Sequence, residues 1–182
     1  MSVDQESTYP WLRREKQFIS QAIAQKRFVL GICLGGQLIS DCLGGRVTQN
    51  AHREIGWYDV TLTSDATDSL LGCLPPSFTA FHWHGDTFSV PSGAVALALS
   101  EACANQAFQY QDRVLALQFH LDYAYDSIQR MVDHCADELT DSQYVQKAVD
   151  LLAEDERVIH LQKHLYTLLD HCAAHHLRRD TS

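Results

Sequence analysis

Apolar residues recur at helical spacing early in the chain, where Trp11, Leu12, Phe18, Ile19, Ala22 and Ile23 share one face. Pro10 lies near the first turn, and Ser7 or Thr8 is placed to cap it. The pattern predicts an amphipathic helix. It gives way to RFVLGIC (27–33), a nearly continuous apolar run of the kind that forms a strand buried on both faces in a parallel sheet. LGGQLISDCLGG then predicts a helix that stops at Gly44 or Gly45. From Val47 to Val114 the period shortens to that of β segments: WYDVTLT, FTAFHWH, AVALALS and NQAFQYQ, separated by turn signals such as LPPS and VPSG. RVLALQFH reads as a second buried strand, ending in His120. Helical spacing returns over about 125–139 and 142–176. The second stretch carries Val145, Val149, Leu152, Ile159, Leu165, Leu168, Leu169 and Cys172 as its apolar side. No repeat, low-complexity tract or linker divides the chain. The elements predict one α/β domain over 1–182, with an open, mostly parallel sheet flanked by helices and a helical C-terminal extension over 141–182.

Composition narrows the classes of function. With 182 residues, 46% of them hydrophobic, the chain can bury a proper core. A net charge of -9 without a Lys/Arg cluster excludes a phosphate-binding surface, so no nucleic-acid partner is expected. No apolar stretch approaches the roughly 20 residues of a membrane span, and MSVDQESTYP is polar rather than signal-like, which predicts a cytosolic protein with no membrane partner. Six cysteines, spread out and without a Cys-x-x-Cys pair, are expected to be free thiols, mostly buried.

The pattern with chemical content is Gly31-Ile32-Cys33-Leu34-Gly35. Small residues two before and two after a nucleophile permit the sharp strand-to-helix bend that holds a reactive atom clear of the sheet. A helix N-terminus favours thiolate over thiol, and Leu34 would offer its backbone N–H from the first turn. The competing reading is a packed core cysteine in a turn. A thiolate needs a base and a group to orient it. His120 ends the second buried strand at the sheet edge where the first also ends, and Asp122 follows two residues later. A histidine so placed also serves as a polar strand cap.

Five segments in order, GICLGGQL, EIGW, HWHGDTFSVPSGAVALALS, NQAF and LQFHLD, resemble the class I glutamine amidotransferase domain family over nearly the whole chain. The resemblance implies a flavodoxin-like α/β fold and glutamine, or another γ-glutamyl amide, as substrate. Cys33 would attack the side-chain amide to give a γ-glutamyl thioester and ammonia. His120 would act as base and then acid, with Asp122 as third member of the triad. Gln37, His84, Gly85 and Asp86 match positions that line the glutamine pocket. Glu54, Ile55, Gly56 and Trp57 match a family motif to which no catalytic role is assigned. No synthetase domain is present, so ammonia would go to a separate synthetase partner or be released.

The chain departs from the family pattern in three places. His120-Leu121-Asp122 stands where the family has His-Pro-Glu, and the shorter carboxylate is expected to give a weakened orienting bond. Gly36 replaces a larger residue of many members, with an expected effect on pocket shape. MSVDQESTYPWLRRE resembles the segment that follows a Gly-Gly-Pro turn, so the opening strand-helix-strand unit, with the second oxyanion donor, is expected to be missing.

Other residues invite roles that the sequence supports less well. His160 with His164, and His171 with His175, have the i, i+4 spacing of zinc ligands, but no acidic or cysteine ligand matches them, and neither a metal nor a cofactor is expected. His82 is read as a hydrogen-bonded structural residue. Cys42, Cys73, Cys103, Cys135 and Cys172 are read as small hydrophobes or inert thiols. Two further functions remain open: a γ-glutamyl-amine hydrolase, and a catalytically weak or inactive binding module of the same fold.

Overall fold

A computed structural model of the chain describes residues 1–153 and 156–179. Six strands form one curled, mixed sheet in the order β1-β6-β5-β4-β2-β3. The strands are β1 (Val29–Ile32), β2 (Val47–Leu62), β3 (Ser77–Phe88), β4 (Ala94–Leu99), β5 (Ala107–Tyr110) and β6 (Val114–Leu117). Helices α1 (Trp11–Ala24), α2 (Leu34–Cys42), α3 (Tyr125–His134), α4 (Ala148–Leu151) and α5 (Arg157–Arg179) flank it. The expected α/β class holds, with one correction to the sheet. Only β1 and β6 pair in parallel, and the other four pairings are antiparallel. For β5 and β6, connection length is the reason: three residues separate Tyr110 from Val114, far short of the dozen or so that a parallel crossover requires.

Strand β6 shows why the apolar run was readable. Val114 and Ala116 face a core shared with Leu12, Ile19, Leu38 and Ile39 of α1 and α2. Leu115 and Leu117 face the opposite core, with Trp57, Phe81, Ile128, Leu161 and Leu168. Full burial of each such side chain stabilises the fold by about 1.5–3 kcal/mol.

The helical faces differ from the spacing argument. Leu12 and Ile19 of α1 are buried, but Trp11 and Phe18 are 47% and 67% exposed. The helix starts after Pro10, with no side-chain cap from Ser7 or Thr8. The region over 125–139 is α3 followed by a 3-10 turn at Ala136–Glu138, and the stretch over 142–176 is two helices rather than one. Tyr144, Leu151, Val158, Leu161, Leu168 and Cys172 are its buried residues, while Val149 and Ile159 face solvent. As expected, α2 stops at the glycines, where Gly44 takes φ 82° and Gly45 donates to the Ser40 carbonyl at 2.8 Å.

Candidate active site

The parallel pair β1–β6 sets the site. Ile32 lies opposite Leu117, and the Cys33 N–H continues the ladder to the Leu117 carbonyl at 2.8 Å. The chain then turns abruptly into α2, with Cys33 at φ 52°, ψ -109°, a conformation that side chains rarely adopt. Of the flanking glycines, Gly31 leaves no room for a side chain: a Cβ there would lie 2.5 Å from the Gly35 carbonyl group. A Cβ at Gly35 would meet nothing within 4 Å. Gly36 does not shape the pocket as expected; a Cβ there would lie 2.7 Å from the Leu117 carbonyl oxygen, so its smallness lets α2 press onto β6.

Three residues beyond Leu117, His120 is pinned to β3. Its N–H donates to the Phe81 carbonyl at 2.8 Å and its carbonyl accepts from Phe81 N–H at 3.4 Å. The His120 Nδ1 lies 3.0 Å from Asp122 Oδ1, and the ring shares a cavity wall with Cys33. Burial disfavours charge on this ring. The ring's contacts with Asp122 and Cys33, and the negative charge of both, outweigh it and push the His120 pKa up to about 9. For Asp122, burial raises the pKa and the hydrogen bond and charge of His120 lower it, with a net downward shift. The Tyr123 ring stands 4.4 Å from the His120 ring, edge to face.

Cys33, Leu34, Gln37, His84, Gly85, Asp86 and His120 all line one cavity of about 490 Å³. Asp122 stands outside it, behind the imidazole. The sequence reading missed much of the wall: Arg53, Trp83, Tyr123, Met131, Cys135 and Glu138 also face the cavity. Cys135 lies on this wall, and burial with the charges of Glu138 and Asp137 pushes its thiol pKa up. Glu138 accepts from Trp83 Nε1 at 2.9 Å and lies 3.9 Å from Arg53. All six cysteines are free, but only Cys103 and Cys172 are fully buried, fewer than expected.

Behind the cavity wall lies a polar network that the motif EIGW contributes to. Glu54 is fully buried, and its Oε2 faces His84 Nε2 at 3.0 Å, His82 Nδ1 at 3.4 Å and Gln106 Nε2 at 2.7 Å. Burial opposes ionisation of Glu54, yet the two imidazoles hold its carboxyl well below the usual range. Burial dominates at His82 and pushes its pKa down. The other nitrogen of His84, Nδ1, lies 3.0 Å from the Asp86 carbonyl, so both ring nitrogens face acceptors. Among the described residues, Glu54, His82 and His84 are the group whose donor atoms, within 4.8 Å of one another, could hold a metal ion. Those atoms are engaged with each other. His164, by contrast, packs on Phe78 at 5.1 Å.

Gln118, two residues before His120 and on the same side of the chain, is fully buried and reaches the nucleophile. Its Oε1 accepts from Gln37 Nε2 at 3.1 Å, and its Nε2 donates to Cys33 Sγ at 3.6 Å. The strand period was the available signal.

Similarity to known proteins agrees with this geometry. Residues 6–133 match the model of the family described as glutamine amidotransferase class-I. The glutamine amidotransferase-like protein YfeJ of Salmonella typhimurium is 37% identical over 72% of this chain and 55% of its own length. A glutamine-hydrolysing GMP synthase component from Halobacterium salinarum, which is one of that enzyme's separate polypeptides, is 40% identical over 53% of this chain and 54% of its own. The chain thus spans about half the length of these curated relatives. A crystal structure of a glutamine amidotransferase from Methylobacillus flagellatus superposes with a TM-score of 0.87 at 32% identity, covering 96% of this chain and 72% of that one. A second, from Thermotoga maritima, gives 0.83 at 33%, covering 94% and 74%. On the strength of a match across most of its length, the chain belongs to the class-I glutamine amidotransferase family.

Proposed function

We propose that this protein hydrolyses the side-chain amide of glutamine through a thioester on Cys33, passing ammonia to a separate synthetase partner. The observation that carries the reading is that Cys33, on its positive-φ turn, and a His120 ring backed by Asp122 line the same cavity. Asp122 occupies Nδ1, which leaves Nε2 for the sulfur. The proton of the thiol moves to Nε2, sulfur attacks the amide carbon, and the oxyanion forms near the Leu34 N–H. His120 then returns the proton to the departing nitrogen, the C–N bond breaks, and ammonia leaves the thioester behind. Water attacks next, His120 takes its proton, and cleavage of the C–S bond releases glutamate as the sulfur is reprotonated. Gln37, His84, Gly85 and Asp86 hold the amino-acid part of the substrate. The relatives named as components of GMP synthase support a separate ammonia acceptor.

A glutaminase assay tests the reading. Ammonia release by the parent, abolished in Cys33→Ala and His120→Ala, is expected, with an electrophilic glutamine analogue labelling Cys33 alone. No release, with labelling spread over several cysteines, would leave the binding-module reading standing. The cavity itself favours one further reading. At about 490 Å³, with Trp83, Tyr123, Met131 and Glu138 on its wall, it falls in the size range of sites for larger ligands, about 300–1,000 Å³. A γ-glutamyl amine would fit this space, and kcat/KM for such amides against glutamine decides between the two substrates.

A further inference from the structure

The sulfur of Cys33 has more than one polar neighbour. Besides the His120 ring, it faces the Gln118 Nε2 at 3.6 Å and the Trp83 carbonyl at 3.9 Å. The first of these neighbours is a donor whose orientation is dictated from a distance. A backbone carbonyl can only accept, so the Asp86 carbonyl draws the Nε2 of Gln37, at 3.4 Å. The same Nε2 has a second hydrogen, which it gives to Gln118 Oε1 at 3.1 Å. With its oxygen so engaged, Gln118 must present its NH2 to the sulfur. The His84 ring, fixed by Glu54, holds the Asp86 carbonyl from the other side at 3.0 Å. A chain of hydrogen bonds thus runs from the buried carboxylate to the nucleophile without a free choice of direction at any amide.

Resting on the proposed thioester chemistry, we propose that Gln118 is a further catalytic residue, whose side-chain N–H hydrogen-bonds the Cys33 thiolate and holds it for attack. An N–H donor stabilises a charged acceptor more than a neutral one. Its worth is therefore greatest when the proton of Cys33 has passed to His120. Full burial of Gln118 keeps water from replacing it. Its nitrogen touches sulfur while its oxygen holds Gln37 of the substrate-facing wall, so loss of the nitrogen alone is expected to act on kcat and to spare KM.

The test compares wild type with Gln118→Met, which deletes the donor, and Gln118→Glu, which keeps an acceptor for Gln37 but turns an oxygen toward the sulfur. Iodoacetamide alkylation of Cys33, followed by mass spectrometry of its peptide at pH 6 to 8, is expected to slow at least about tenfold in both, the equivalent of one hydrogen bond to a charged group. Kcat is expected to fall at least as far in both, with KM within about twofold in Gln118→Glu, which keeps the acceptor for Gln37. Folded variants that alkylate within twofold of wild type overturn the proposal. Should neither variant fold, wild type alone decides: the Gln118 side-chain amide proton resonances are expected to shift with pH in step with the alkylation rate. Resonances that stay flat while alkylation accelerates overturn it equally. A wild type without glutaminase activity counts against the proposed reaction, yet leaves the alkylation and resonance measurements to judge Gln118 separately.

Discussion

Asp122 reaches His120 at 3.0 Å although its side chain is one methylene shorter than the glutamate of the family pattern. The distance is ordinary for an N–H···O bond, so the expected weakening does not come from reach. The Asp122 side chain is 46% exposed, which leaves its charge open to screening by solvent. Asp122 is a leading cause of the high His120 pKa, so Asp122→Asn is expected to move the alkaline limb of the pH–rate profile toward neutrality and to lower kcat at least about tenfold. A limb that stays near pH 9 in this variant would show that Cys33 alone sustains the charged ring. Asp122→Glu, by comparison, is expected to retain the limb. The glycines of the elbow allow an equally sharp comparison. Gly31→Ala forces the β1 end and the first turn of α2 apart and is expected to lower stability by about 1–3 kcal/mol. Gly35→Ala enters open space within a helix, and its stability is expected within about 0.5 kcal/mol of the parent or above it. Thermal melts of the two proteins check both statements.

At the next scale, the EIGW segment acts as a fastener between β2 and the chain that follows α3. Ile55 exchanges backbone hydrogen bonds with Tyr144 and Gln146, and the Gln146 side chain adds one more rung. Its Oε1 accepts from Trp57 N–H at 3.0 Å and its Nε2 donates to the Trp57 carbonyl at 3.0 Å. This side chain fills the space that a Cβ on Gly56, at φ 138°, would occupy. Gln146→Ala is expected to lower stability by about 2 kcal/mol, from two hydrogen bonds lost, and to speed proteolysis in the segment around residue 146. Limited digestion of parent and variant checks this. The same motif shows what the sequence made legible. β1, α2 and the His120 strand were readable because an unbroken apolar run and a Gly-flanked cysteine are local signals. Strand direction was misread because apolar runs report burial on two faces and say nothing of sense; the three residues after Tyr110 held that information. Trp11, Phe18, Val149 and Ile159 match the helical period yet face solvent, since the period names a stripe and not what covers it. Gln118 and Trp83 escaped notice although they lie inside the LQFHLD and HWHGDTFSVPSGAVALALS segments, and Cys135 and Glu138 because no motif marks them; the part of all four in the site comes from tertiary approach.

For the molecule as a whole, two of the buried histidines, His120 and His82, bend stability against pH in opposite directions. His120, raised to about 9, binds its proton more tightly folded than unfolded, so its contribution is complete below the unfolded value of 6.5 and is lost as pH climbs through 9. His82 is shifted down by burial. The unfolded chain takes up its proton first as pH falls below 6.5, and stability declines on that side. Glu54 and Asp122, both held below their ordinary values, steepen the loss once pH drops under about 4.5. Stability is therefore expected to peak near pH 6.5 and to fall on both sides, as read by urea titrations from pH 4 to 9. The arms are separable, because different residues own them. His120→Ala is expected to flatten the arm between 6.5 and 9 and, because His120 is what lowers the Asp122 pKa, to soften the acid arm only below about 4.5. His82→Gln is expected to flatten the shallow decline below 6.5 and leave the alkaline arm. A parent whose stability still rises between pH 7 and 9 would contradict a protonated His120, and with it the charge partner that the Cys33 thiolate needs.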